Sequence, residues 1–173
     1  IDVKCNFLIR NGYLAFQFPD GYNEKYTLII DPVLVFSSYS GSTTDNWGFT
    51  ATYDELGNGY SAGIVFNTGY PTTLGAYQVN YAGGEPANPQ NPGYYGIGCD
   101  IGIIKYSQNG LQRLWATYLG GAISEELPHC MVCNRSNDLL VMGTTGSSDF
   151  PTSANAYDNT YNGGDTTVYD NVI

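Results

Sequence analysis

The apolar residues of this chain come in short runs of strand length, each closed by a cluster of Gly, Asn, Asp or Ser. Phe7-Leu8-Ile9-Arg10-Asn11-Gly12-Tyr13-Leu14-Ala15-Phe16 predicts two strands joined around Asn11-Gly12, because both turn residues accept the positive φ of a type I′ hairpin. Tyr26-Thr27-Leu28-Ile29-Ile30 predicts a further strand ending at Asp31-Pro32. Four more strands are expected at roughly residues 49–53, 60–64, 100–106 and 114–118. Asp54-Glu55-Leu56-Gly57-Asn58-Gly59 and Ser107-Gln108-Asn109-Gly110 supply tight turns between them. No helical periodicity of useful length appears, apart from a single turn near residues 73–77.

The same pattern is then written a second time. Tyr39-Ser40-Gly41 reappears as Tyr118-Leu119-Gly120, and residues 63–84 match residues 143–164 without a gap, at a period of about 80 residues. Within that block Gly63/Gly143, Pro71/Pro151, Thr72/Thr152, Ala76/Ala156, Tyr77/Tyr157, Tyr81/Tyr161 and Gly83-Gly84/Gly163-Gly164 are identical. A fixed period of this length marks modules that stack to bury their faces. Four antiparallel strands per unit is the blade of a β-propeller; tandem β-sandwiches are the competing shape. The expectation is an all-β chain of such blades, with residues 1–33 as the tail of a preceding β-domain. Residues 34–173 would hold one full blade and part of the next. Asp100-Ile101-Gly102-Ile103 is matched by Asp170-Asn171-Val172-Ile173, so the chain is read as a fragment of a larger polypeptide with further repeats after Ile173.

Composition narrows the classes of partner. Of 173 residues, 42% are hydrophobic and 14% aromatic, enough for a real core. Six Lys and Arg against 16 Asp and Glu give a formal net charge of -10, which opposes binding to nucleic acid or an anionic membrane surface. Sixteen Tyr and 22 Gly suit an all-β chain with many tight turns and polar, non-ionic surfaces, a look common among exported proteins. No stretch is apolar for long enough to span a bilayer, and Ile1-Asp2-Val3-Lys4 has none of the layout of a signal peptide, so any export signal is expected upstream.

The runs from Leu28 to Gly41 and from Asp54 to Gly63, with Asp149-Phe150-Pro151-Thr152 and Ala116-Thr117-Tyr118-Leu119-Gly120-Gly121, resemble the SBBP-type β-propeller repeat of large bacterial surface proteins. The resemblance covers residues 34–173. In that family a β-domain closing on an Ile-Asp-Pro strand often precedes the first repeat, and Ile30-Asp31-Pro32 is similar. The resemblance implies long exported proteins, many from Bacteroidetes that use type IX secretion and gliding machinery, with an extracellular or outer-membrane location. It supplies no catalytic residues. The expected function is a non-catalytic adhesion, scaffold or protein-interaction module whose partner is a protein or glycan at the cell surface. A propeller enzyme or lectin acting on glycans is the alternative.

Candidate chemistry is sparse. Residue types found in both copies are read as structural, and the repeated tyrosines as caps on each blade. Cys130-x-x-Cys133 next to His129 has the outline of half a zinc site or a redox couple. It falls on a predicted strand, where positions three apart point to opposite faces, so Cys130 and Cys133 are expected to be buried or singly disulfide-bonded instead; the sequence leaves open any pairing among Cys5, Cys99, Cys130 and Cys133. Aligning the Tyr-x-Gly triplets pairs Cys130 with Ala51, Cys133 with Asp54, Ser124 with Asp45, Glu125 with Asn46 and Glu126 with Trp47. Asp45, Asp54, Glu55, Glu125 and Glu126 form no calcium-loop consensus and no matched acid/base pair; the acidic turns leave room for a bound Ca²⁺ and for no other cofactor. The chain holds no Gly-x-Ser-x-Gly and no phosphate-cradling loop. The feature most specific to one copy is the insertion over residues 85–99, about ten residues longer than its counterpart. Tyr94, Tyr95, Pro89 and Pro92 within it, and Trp47 outside it, are the candidate binding residues.

Overall fold

The computed structural model describes residues 2–29, 34–84, 98–163 and 170–172. Nine strands and no helix occur among them, and all pairings are antiparallel. The chain divides into two compact units, Ile1–Leu34 and Val35–Ile173.

In the first unit β1 (Asn6–Arg10) and β2 (Tyr13–Gln17) form the hairpin that the sequence predicts. Asn11 and Gly12 take φ of 53° and 79°, the left-handed pair a two-residue turn needs, and Phe7 faces Phe16 with ring centroids 5.2 Å apart. The strand expected at residues 26–30 does not form over its described part, 26–29. The Tyr26 N–H donates to the Asn23 carbonyl at 3.0 Å, closing a turn, and Ile29 is left exposed outside any ladder. An apolar run becomes a strand only beside a partner.

The second unit holds two sheets. β3 (Asn46–Tyr53), β4 (Gly59–Val65), β5 (Asp100–Tyr106) and β6 (Arg113–Leu119) pair in chain order, so all four strands predicted for the first repeat are present, three of them longer than read. β7 (Glu126–Cys133), β8 (Leu139–Thr145) and β9 (Asp170–Val172) form a three-stranded sheet in the same order. Its pairing repeats the register of the first. Asn46↔Val65 becomes Glu126↔Thr145, Tyr53↔Gly59 becomes Cys133↔Leu139, and the bulge between Gly48 and Thr50 returns between Pro128 and Cys130. Gly63↔Gly102 likewise becomes Gly143↔Val172.

This register corrects the alignment drawn from the Tyr-x-Gly triplets. The stretch from Tyr118 to Glu126 holds one residue more than that from Tyr39 to Asn46, so Glu126 stands where Asn46 stands, Cys130 matches Thr50 and Cys133 matches Tyr53. The β3–β4 and β7–β8 turns show the same equivalence with polar ends exchanged. Asp54 accepts from the N–H groups of Leu56 and Asn58 while the Asn58 amide donates to it; Asn134 accepts from the N–H groups of Ser136 and Asp138 while its own amide donates to Asp138.

Side chains alternate between two cores, as the two-residue period of a strand requires. Tyr60, Ala62, Ile101 and Ile103 from one face of the first sheet meet Met131, Cys133, Leu139 and Val141 of the second. On the opposite face Val65, Ile104, Ala116 and Tyr118 pack with Tyr70 and Tyr81 from the β4–β5 connection.

Candidate functional site

Of the candidate binding residues, Tyr94, Tyr95, Pro89 and Pro92 lie outside the described residues, as does the insertion from 85 to 97. Trp47 sits on β3, about half exposed at 49%, with its ring edge-on to Phe66 at 5.2 Å. The bases of the insertion are described. Gly84 packs against the backbone of Ser124, and Gly98 against that of Gly84. The insertion therefore springs from the point where the two sheets are joined.

That junction holds a group of acids that sequence reasoning missed. Asp100 at the start of β5 and Glu126 at the start of β7 are both fully buried, and Glu125 is 3% exposed. Asp100 Oδ2 accepts from the Ala82 N–H at 2.8 Å and from the Gln78 amide at 3.2 Å. Glu126 Oε1 accepts from the Thr145 hydroxyl at 2.7 Å, and Oε2 from the Gly121 N–H at 3.1 Å. Asp100 Oδ1, Glu125 Oε2 and Ser124 Oγ have no hydrogen-bond partner among the described residues. Burial pushes both Asp100 and Glu126 up to about 7, against the hydrogen bonds they accept, and the Asp100 charge further opposes ionisation of Glu126. Burial also raises Glu125, and raises the neighbouring Cys99 thiol to about 12. The sequence signals for this cluster were the recurrence of Asp100 as Asp170 and the placement of Glu125-Glu126 after Gly120-Gly121. All three acids are buried where β5 and β7 begin, shut away from solvent.

A second buried charge lies at the far end of the first sheet. Lys105 on β5 pairs with Asp54 at 2.9 Å and sits 4.8 Å from the Tyr60 ring centroid, while the Tyr60 hydroxyl donates to Asp54 at 3.2 Å. Burial alone would raise the Asp54 carboxyl; Lys105, Asn58 and Tyr60 together hold it well below the usual carboxylate range.

The repeated tyrosines have two different fates. Tyr81 is half-buried, 5.9 Å from the Tyr118 ring, with its hydroxyl donating to the Gly98 carbonyl at 2.7 Å, which is a capping role. Tyr77 and Tyr157 do not cap: they are 70% and 108% exposed at equivalent loop positions. Of the two cysteines expected to be buried or disulfide-bonded, Cys133 packs against the core while Cys130 is exposed and free. All four are free, Cys5 and Cys130 are exposed, and Cys99 alone is fully buried. Cys130 and Cys133 do take opposite faces of β7, with Cys133 packed into the core. His129 is exposed and lies 3.3 Å from the Thr144 hydroxyl. No three His, Cys, Asp or Glu side chains converge as a metal site among the described residues.

A groove of about 460 Å³ in the second unit has a lining that includes Thr145, Ser147, Phe150, Ala156, Tyr157 and Asp158. In the first repeat the equivalent surface is covered by β6. The Thr73 N–H donates to the Ala116 carbonyl at 3.1 Å, the Gln78 N–H to the Thr117 hydroxyl at 2.9 Å, and the Tyr118 N–H to the Gln78 carbonyl at 3.0 Å. Thr72, Thr73, Ala76 and Gln78 are consequently half-buried, whereas Thr152, Ser153, Ala156 and Asp158 are exposed.

No protein-family model matches the chain, and no characterised protein matches it by sequence. No helix among the described residues is long and apolar enough to cross a membrane.

Proposed function

We propose that the chain is a non-catalytic segment of a large exported bacterial cell-surface protein of the SBBP repeat kind. Residues 46–119 and 126–172 are read as successive β-propeller blades, in a module serving adhesion, scaffolding or protein interaction, associated with type IX secretion or gliding. The observation that carries this reading is the recurrence of one hydrogen-bond register, bulge included, in both sheets. Such a recurrence supports a stacked array, whose use is the extended surface it presents. Tyr77 and Tyr157 are exposed amphipathic rings repeated on that surface.

The same exposed rings favour a second reading, a lectin gripping sugar faces. One experiment separates the two. The purified chain is titrated against solubilised outer-envelope proteins and against a glycan array. Saturable protein binding that falls at least about tenfold in the Tyr77→Ala/Tyr157→Ala variant supports the interaction module. Binding confined to glycans supports the lectin, and turnover of any glycan overturns the non-catalytic reading.

A further inference from the structure

An open cleft of about 460 Å³ lies at one end of the first repeat, between the β3–β4 turn (residues 54–59) and the β5–β6 turn (residues 107–112). Its lining is Leu56, Asn58, Ser107, Gln108, Asn109 and Gln112. Both turns and the four strands that carry them are complete, so the cleft is whole in itself. Gln108 reaches across to the opposite turn. Gly57 has φ of 79°, and a Cβ there would lie 3.5 Å from the Gln108 Cβ and 3.6 Å from its Oε1.

The lining has a narrow chemistry: amides, one hydroxyl and one aliphatic side chain, none of them charged. The backbone N–H groups of Leu56, Gly57, Asn58, Gly110, Leu111 and Gln112 are hydrogen-bonded inside their own turns, which leaves them no donors for a peptide backbone or an anion. Side-chain amides are what the cleft has to offer. The Asn58 amide donates to Asp54 at 3.0 Å, and Asn109 Oδ1 accepts from the Ser107 hydroxyl at 2.8 Å. Each residue is thereby fixed with its other half to spare, an acceptor on Asn58 and a donor on Asn109. The side-chain amides of Gln108 and Gln112 hold no hydrogen bond among the described residues. Leu56 is 67% exposed, and the register of the repeats places Ser136 at its equivalent, so this turn does not require an apolar side chain.

We propose that this cleft binds a neutral glycan. Its amides exchange hydrogen bonds with sugar hydroxyls, which donate and accept as amides do, while Leu56 lies against the apolar face of a sugar ring. An acidic polysaccharide meets no cation in the lining and is repelled by a chain of net charge -10. Neither Tyr77 nor Tyr157 lines the cleft, so the site goes beyond the interaction-module reading and does not depend on it.

The test is calorimetric titration of the full chain with neutral oligomers of glucose, mannose, galactose and N-acetylglucosamine, and with polygalacturonate as the acidic comparison. Saturable binding of at least one neutral oligomer is expected, and none of polygalacturonate. Gln108→Ala/Gln112→Ala changes two exposed side chains that hold no part of the fold together, and should weaken that binding roughly tenfold or more. Leu56→Ser, which installs the residue the second repeat carries in the same turn, should weaken it several-fold. Tyr77→Ala/Tyr157→Ala should leave it unchanged. A chain that binds none of the neutral oligomers, or that prefers polygalacturonate, overturns the proposal. Binding that survives Gln108→Ala/Gln112→Ala overturns it as well, and so does binding lost only with Tyr77 and Tyr157, since the sugar would then sit on those rings. Failure here with Tyr77- and Tyr157-dependent protein binding intact would leave the interaction-module reading standing.

Discussion

Asp100 and Glu126 approach the same point from two different sheets: a methyl group at Gly120 would lie 2.6 Å from Asp100 Oδ1 and 2.7 Å from Glu126 Oε2. Around them stand Glu125, Cys99, Tyr81 and Tyr118, with no cation among the groups that shift them. Burial raises both carboxyls, and the Asp100 charge further opposes ionisation of Glu126, so ionising both at this junction is costly.

Stability should therefore fall as pH rises through neutrality. Both acids have folded values of about 7, above the ordinary carboxylate range near 4, so the folded chain binds more protons than the unfolded one between those limits. The gain is complete below the unfolded value and lost as pH climbs to about 7. A loss of roughly 2–5 kcal/mol between pH 5 and pH 8 is expected, the lower figure if the pair releases one proton over that window and the upper if each acid releases its own. Denaturant unfolding across that window checks it, and Glu126→Gln should flatten the profile. A wild-type profile that is level or rises would contradict the argument. Asp54, held low, acts in the opposite sense and only below the usual carboxylate range.

Gly120→Ala should be costly for the same geometric reason. The methyl group must displace two buried carboxyls that are already hydrogen-bonded in place, and overpacking of this kind costs roughly 1–3 kcal/mol. Gly48→Ala, at a strand glycine with ordinary φ and open space around it, serves as the comparison for backbone effects alone. Equal losses in both variants would show that the carboxyl pair is not what Gly120 accommodates.

How far the sequence reached follows from the range of each signal. The Asn11-Gly12 hairpin and the strands around residues 49–118 are specified locally, by turn chemistry and alternation, and were legible. The acid pair was not, because Asp100 and Glu126 are distant in sequence and meet only when two sheets pack. The one-residue slip in aligning the repeats came from anchoring on Tyr39/Tyr118, and it hid the match of Glu126 with Asn46. Tyr77 and Tyr157 read as blade caps in the sequence, since identity between copies does not tell burial from display.

The cysteines should sort by exposure under a thiol reagent. Cys5 and Cys130 should react promptly, while Cys99, fully buried with a thiol raised to about 12, should react only on unfolding. Cys130→Ser should leave stability within about 0.5 kcal/mol of the parent, as exposed substitutions do. Prompt modification of Cys99 in the native chain would contradict the packing at the sheet junction.

The exchanged turns give the sharpest test of the buried ion pair. Lys105→Met removes the cation bonded to Asp54, whose side chain has no exposure, and should cost about 3 kcal/mol. Asp54→Asn alone should cost less, because Lys105 keeps partial access to water and because Asn134 shows that an asparagine accepts the same two backbone N–H groups in this turn. Combining the two substitutions removes both charges and leaves the amide introduced at position 54 to hold the loop with Asn58, so the double variant should recover most of what Lys105→Met loses. Chemical denaturation of the three variants measures this as a coupling energy. Additive losses would mean that Asp54 and Lys105 act independently, and that the turn rather than the charge pair explains the burial of Asp54.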